Sequence, residues 1–158
     1  MTFEERLSLF CENLRLYLKS VEWLKISIER CKSLDPKAEW SLEDYERIET
    51  LFARFSRAVD ILLNKVLRSL DILELEEPLR KLDVVIRAEK RGIVEDYNIL
   101  IELKDFRNEL AHEYIEEALK NRLEEVMEKS LLLLEITENL KEYARRMGYL
   151  KGSPELGS

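Results

Sequence analysis

The sequence predicts an all-α, up-and-down bundle of four to five helices. Three observations carry this. Charged residues make up 37% of the 158-residue chain, and only four glycines and three prolines interrupt it, a composition that favours long helices over irregular structure. Apolar residues recur at alternating steps of three and four, the spacing that gathers one face of a helix. No segment alternates with the period of two that a strand needs, and there is neither an internal repeat nor a domain linker. One hydrophobic core is expected, with residues 1–150 as a single domain.

The first helix has the strongest periodic signal. Phe3, Leu7, Phe10, Leu14, Tyr17, Val21, Leu24, Ile28 and Cys31 form a seam, which Asp35-Pro36 ends because a residue before proline is pushed out of the helical region. Ser41 begins the second helix, with Asp44 placed to complete a near capping box. Its apolar positions run from Ile48 through Phe55, Val59, Leu62 and Val66 to Leu70 and Leu73. Pro78 suits the first turn of a shorter third helix whose inner face is Leu79, Leu82, Val85 and Ile86, with Gly92 at its end. A fourth helix starts near Glu95 and presents Tyr97, Leu100, Ile101, Leu103 and Lys104. The last and longest carries Leu119, Leu123, Val126, Ser130, Leu133, Thr137, Leu140, Ala144 and Met147 at core spacing, closed by Gly148. Its run from Leu131 to Ile136 is apolar on more than one face, so this helix either sits centrally or offers a second face to another chain. Residues 151–158 lack periodicity and are expected to form a flexible tail, in part a vector-derived remnant.

The net charge of −7 and a pI near 5.0 argue against a broad basic platform for nucleic acid, leaving room only for a local basic cleft. No stretch reaches membrane-spanning length and the charged N-terminus has no apolar signal core, so no membrane association and a cytoplasmic location are expected. Cys11 and Cys31 lie on one expected helix, roughly 30 Å apart at about 1.5 Å per residue, too far to bridge. They are expected to be reduced packing residues.

Chemistry concentrates in Arg107-Asn108-Glu109-Leu110-Ala111-His112-Glu113-Tyr114, which holds the single histidine of the chain. Asn108 and His112, four apart, share a helical face. Arg107 and His112 are about 140° apart on a regular helix at about 100° per residue, and Tyr114 points nearly opposite to His112. Either the helix breaks close to His112 or Tyr114 sits behind the site. In a purely structural reading, His112 caps or packs a helix end and Arg107 pairs with Glu109 or Asp105. In a phosphate-handling reading, Arg107 offers a planar, permanently charged fork to phosphate oxygens and His112 moves protons near neutral pH. RNA cleavage by its own 2′-hydroxyl requires those two services and no metal or other cofactor. A third reading takes Glu109-Leu110-Ala111-His112 as the Glu-x-x-His pair of helical di-iron bundles, which normally needs two such motifs and further carboxylates.

These eight residues, with Asp105-Phe106 before them, resemble the signature of the HEPN superfamily. The resemblance is to its HepT-like toxin branch, where Arg, four to six residues and His are often followed by x-Tyr. The likeness extends over the helical chain, about residues 1–150, and implies a HEPN-like bundle. It further implies a metal-independent endoribonuclease, the toxin of a type VII-like toxin–antitoxin pair, that needs no cofactor. In that branch the site forms at a homodimer cleft, where two copies of His112 divide the general acid and base roles and two Arg107 side chains steady the phosphorane. Asn108 would orient the imidazole or hold a phosphate oxygen. The expected partners are RNA and a nucleotidyltransferase antitoxin that transfers AMP to Tyr114, adding charge and bulk where the RNA backbone must pass. Some relatives are non-cleaving partner subunits of nucleotidyltransferases, which is the alternative. The cations near the motif are Lys104, Arg107, Lys120 and Arg122.

Overall fold

The computed structural model describes residues 1–77, 80–113 and 116–157, without the side chains of 116 and 117. Among these residues there are helices and turns and no strand. Pro78 and Leu79, expected in the third helix, and Tyr114 lie outside the described residues.

The first helix, α1 (Phe3–Cys31), opens on a capping box that the periodicity does not reveal. The Glu5 backbone N–H donates to Thr2 Oγ1 at 3.1 Å, and the Thr2 N–H to Glu5 Oε1 at 3.4 Å. The expected box at Ser41 is also present, with Asp44 N–H donating to Ser41 Oγ at 3.2 Å and Ser41 N–H to Asp44 Oδ2 at 2.9 Å. It starts α2 (Leu42–Ile61), which continues without leaving helical geometry through a π turn at Leu62–Val66 into α3 (Leu67–Leu73). In the π turn the Leu67 N–H reaches back five residues to the Leu62 carbonyl, a wide turn that apolar spacing alone does not predict. Then come α4 (Lys81–Lys90), α5 (Tyr97–Leu110), α6 (Glu116–Asn121) and α7 (Leu123–Arg146).

Hydrogen bonds give the directions of packing. Cys31 Sγ reaches the Arg47 carbonyl, Arg54 the Trp23 carbonyl and Asn13 the Lys65 carbonyl, so α1 runs antiparallel to the α2–α3 rod. Tyr17 shares a 2.7 Å hydrogen bond with Thr137, and Cys11 Sγ reaches the Tyr149 carbonyl, so α1 and α7 are antiparallel as well. The α2–α3 rod is the central element, touching α1 and α4, α5, α6 and α7 between its two ends. The core holds Phe10, Leu14, Tyr17, Ile48, Phe55, Leu62, Leu100 and Leu133, which the helical seams place there. Cys11 and Cys31 are both buried and free, and burial pushes the Cys31 thiol up to about 11.

Four expectations are corrected. The α1 seam packs from Leu7 onward, since Phe3 is 47% exposed at the helix start. The inner face of α4 is Val84, Val85 and Ala88, while Leu82 is exposed; a helix this short holds too few apolar residues for spacing to fix its phase. The last helix is divided at Arg122 into α6 and α7, because Arg122 keeps near-helical dihedrals and the apolar rhythm passes through the break. Finally, residues 151–157 are not a loose tail. Pro154–Gly157 forms a 3₁₀ turn with Leu156 buried, and Arg15 donates to Ser153 Oγ at 2.6 Å and pairs with Glu155 at 3.3 Å. One buried leucine and one arginine anchor it, too few residues to leave a period. Along α7, Leu131 is 55% exposed, so the second apolar face of that helix is only partly covered within the chain.

Gly92 (φ +77°) and Gly148 (φ +78°) close α4 and α7 in the left-handed conformation. Leu75 takes the same position after α3, at φ +59°, with the Glu76 N–H donating to the Asp71 carbonyl at 2.8 Å. An L-residue side chain costs about 1–2 kcal/mol there, and Leu75 is exposed, so its side chain returns little burial. Leu75→Gly is expected to stabilise the protein by about 0.5–1 kcal/mol after the greater backbone freedom of unfolded glycine is subtracted. Thermal denaturation reads this as a raised Tm.

A buried polar cluster joins α3, α4 and the C-terminal region. Asp71, with 0% exposure, receives Arg91 at 2.8 Å and Arg87 at 3.2 Å. Glu74 receives Arg91 at 2.9 Å and the hydroxyls of Tyr143 at 2.5 Å and Tyr149 at 2.7 Å. Burial alone raises the Glu74 carboxyl, but the hydrogen bonds from both tyrosines and the Arg91 charge outweigh it and hold it below its ordinary value. Burial, then the bond to Glu74 and its negative charge, push Tyr143 up to about 12. Because the folded value exceeds the unfolded one, the Tyr143 contribution is complete below pH 10 and is lost as pH rises through about 12. Denaturant titrations across that range are expected to show stability falling, with a shallower fall in Tyr143→Phe.

Candidate functional site at the end of α5

The helix α5 begins at Asp96, whose carboxylate accepts from the Asn98 N–H at 2.8 Å, and buries Leu100, Leu103, Phe106 and Leu110. It stops at Leu110. Ala111 is its C-cap and His112 lies in the following turn, its N–H donating to the Glu109 carbonyl at 3.1 Å. The helix thus breaks close to His112, one of the two arrangements that the spacing of His112 and Tyr114 leaves open. Among the described residues the imidazole is exposed.

Arg107 does not pair with Glu109 or Asp105. Its Nε and Nη2 grip both carboxylate oxygens of Asp60 on α2, at 2.9 Å for Nε to Oδ1 and 2.9 Å for Nη2 to Oδ2. Such a fork fixes the guanidinium plane, and no local signal marks Asp60 as its holder. Both groups are about one-third exposed or more, so the pair adds little to stability, on the order of 0.2–1 kcal/mol. Its effect is on position.

The expected cations divide in a way the sequence does not show. Arg122 is engaged by Glu113 at 3.0 Å, Glu109 at 3.2 Å and Glu125 at 2.9 Å, and its guanidinium stands 5.6 Å from the centroid of the Phe106 ring. Lys120 donates to the Ala38 carbonyl at 2.6 Å and stands 5.3 Å from the centroid of the Trp40 ring. Lys104, by contrast, faces a groove of about 340 Å³ between the α2–α3 rod, α4 and α5. Asn108 lines the same groove, as does Asp60. Two further cations stand on its walls, Arg68 and Lys81, which the sequence did not single out. Its remaining surface is the amide of Asn64 and apolar side chains including Leu63, Leu82, Leu100 and Ile101. The π turn forms part of this wall, a placement common for such turns at functional sites.

Glu109 is taken up by Arg122, and among the described residues no group of three or more His, Cys, Asp or Glu side chains is close enough to hold a metal ion. No helix among the described residues is long and apolar enough to cross a membrane. Compared with protein-family models, curated proteins and solved structures, the chain matches none.

Proposed function

We propose that this chain is a HEPN-type endoribonuclease of the HepT-like toxin branch, working as a homodimer without metal. The observation that carries the reading is the end of α5. An exposed imidazole lies just past the end of α5, the helix that carries Asn108 and a guanidinium gripped by Asp60. That is half of what transesterification needs. One His112 removes the proton of the 2′-hydroxyl, whose oxygen attacks phosphorus. The bond from phosphorus to the 5′-oxygen breaks, and a second His112, from the other copy, protonates that leaving oxygen to give a 2′,3′-cyclic phosphate. Arg107 stabilises the charge that develops on the phosphorane oxygens, and Asn108 orients the imidazole or a phosphate oxygen. The half-covered face of α7 at Leu131 suits the contact between copies. Tyr114, two residues past His112, is the proposed acceptor of AMP from a partner nucleotidyltransferase.

The decisive experiment is incubation of purified, unmodified protein with RNA in EDTA. Cleavage that His112→Ala abolishes supports the reading, and an inactive wild type sinks it. One observation favours the alternative, a non-cleaving partner subunit of a nucleotidyltransferase: the charge of Arg107 is already matched by Asp60. An inactive protein that still forms a stable complex with such an enzyme selects that alternative.

A further inference from the structure

We infer that the groove between the α2–α3 rod, α4 and α5 is a subsite for a single-stranded RNA segment flanking the cleaved phosphate. This rests on the ribonuclease reading and extends it to where the strand lies. The chain carries 33 acidic and 26 basic residues, so a groove whose uncommitted charges are cationic stands out from its background. Arg68, Lys81 and Lys104 line it, and none of them makes an ion pair or hydrogen bond with a described residue. The single carboxylate in the lining, Asp60, is spent on Arg107. The groove thus offers three positive charges to an anion.

Its shape selects the kind of anion. Between the cations lie apolar walls, Leu63 and Leu82 among them, and the amides of Asn64 and Asn108. Apolar surface receives the face of an unstacked base, amides meet its hydrogen-bonding edge, and cations take the phosphates. A volume of about 340 Å³ is at the lower end of small-molecule sites, which suits a nucleotide and excludes a paired duplex. The direction also fits. Lys104 and Asn108 stand four apart on α5, about 6 Å at the rise of a helix, and His112 lies in the turn just past the end of that helix. A strand tracking Lys104 and Asn108 is led to the exposed imidazole.

The test uses a short 2′-O-methyl oligoribonucleotide, which binds but lacks the attacking hydroxyl, so binding is read apart from cleavage. The probe is titrated against wild type, the triple variant Arg68→Gln/Lys81→Gln/Lys104→Gln, and a charge-matched control, Lys19→Gln/Lys25→Gln/Lys32→Gln, on α1 and its C-cap. Circular dichroism confirms that each variant is folded. The triple variant is expected to bind at least about tenfold more weakly, and the slope of log affinity against log salt is expected to flatten by about 2 at about 0.7 per phosphate on a single strand. The control is expected to change neither. Equal binding by the triple variant and wild type, or no binding by wild type, overturns the subsite. ATP that binds as tightly as the oligonucleotide and displaces it overturns the strand in favour of a free nucleotide. Cleavage by wild type with no effect of the triple variant on binding would leave the ribonuclease reading standing and remove only the groove.

Discussion

His112→Ala is expected to lower the rate of RNA cleavage in EDTA by about 10²–10⁴-fold, the span that a positioned general acid–base group contributes. Arg107→Ala is expected to cost about 10²–10³-fold through lost charge stabilisation. The reason to expect catalytic rather than structural effects is burial. His112 is exposed beyond the end of α5 and, among the described residues, is held by a backbone turn hydrogen bond, which alanine keeps. Surface changes of this kind alter stability by about 0.5 kcal/mol or less. Arg107 loses its partner Asp60, a partly exposed pair, so its melting temperature shifts little as well. Rates and melting temperatures measured together separate the two explanations. A His112→Ala protein as active as wild type removes the imidazole from the mechanism. Loss of activity accompanied by a large fall in Tm would assign the residue to folding.

Asp71→Ala is expected to destabilise the protein by about 3–5 kcal/mol, the largest change in stability at any single position discussed. Asp71 is fully buried and is shared by Arg87 and Arg91, which are themselves largely enclosed. Alanine leaves Arg87 and Arg91 facing a cavity with no carboxylate at its centre, and the cost is that of buried charge without a counter-charge. Glu74 remains to receive Arg91 at 2.9 Å, which keeps the expected loss within that range instead of above it. Urea denaturation with a fixed m-value reads the loss directly. A change below about 1 kcal/mol would mean that water or the remaining carboxylates satisfy the arginines.

The helices were legible because each long one repeats its apolar face many times. Leu100, Leu103, Val126, Leu133 and Leu140 are buried where the spacing puts them, and Ser41 caps where its hydroxyl can reach. Short or irregular features were not. Leu82 falls on the inner face that spacing gives the third helix, yet on α4, only ten residues long, it fronts the groove instead. The π turn leaves the buried pattern of Leu62, Val66 and Leu70 intact, so spacing cannot register it. At the candidate site, the spacing of His112 and Tyr114 left two alternatives, a helix break or a tyrosine behind the site, and α5 ends at Leu110, just before His112. The partners of Arg107, Lys120 and Arg122 were not legible, because local charge spacing favours neighbours and the fold supplies Asp60 and Ala38 from distant segments. Arg68 and Lys81 join Lys104 only when three elements meet.

The fork between Asp60 and Arg107 spans 47 residues of sequence. The eight-residue signature is therefore not a self-contained cassette, since the electrical setting of its arginine is written in another helix. An allele with a neutral residue at position 60 would keep every letter of the signature and yet carry an unbalanced positive charge at the same spot. Two chains with identical signatures can accordingly differ in how strongly they draw a phosphate, and transplanting α5 alone into another bundle would move the letters without the setting.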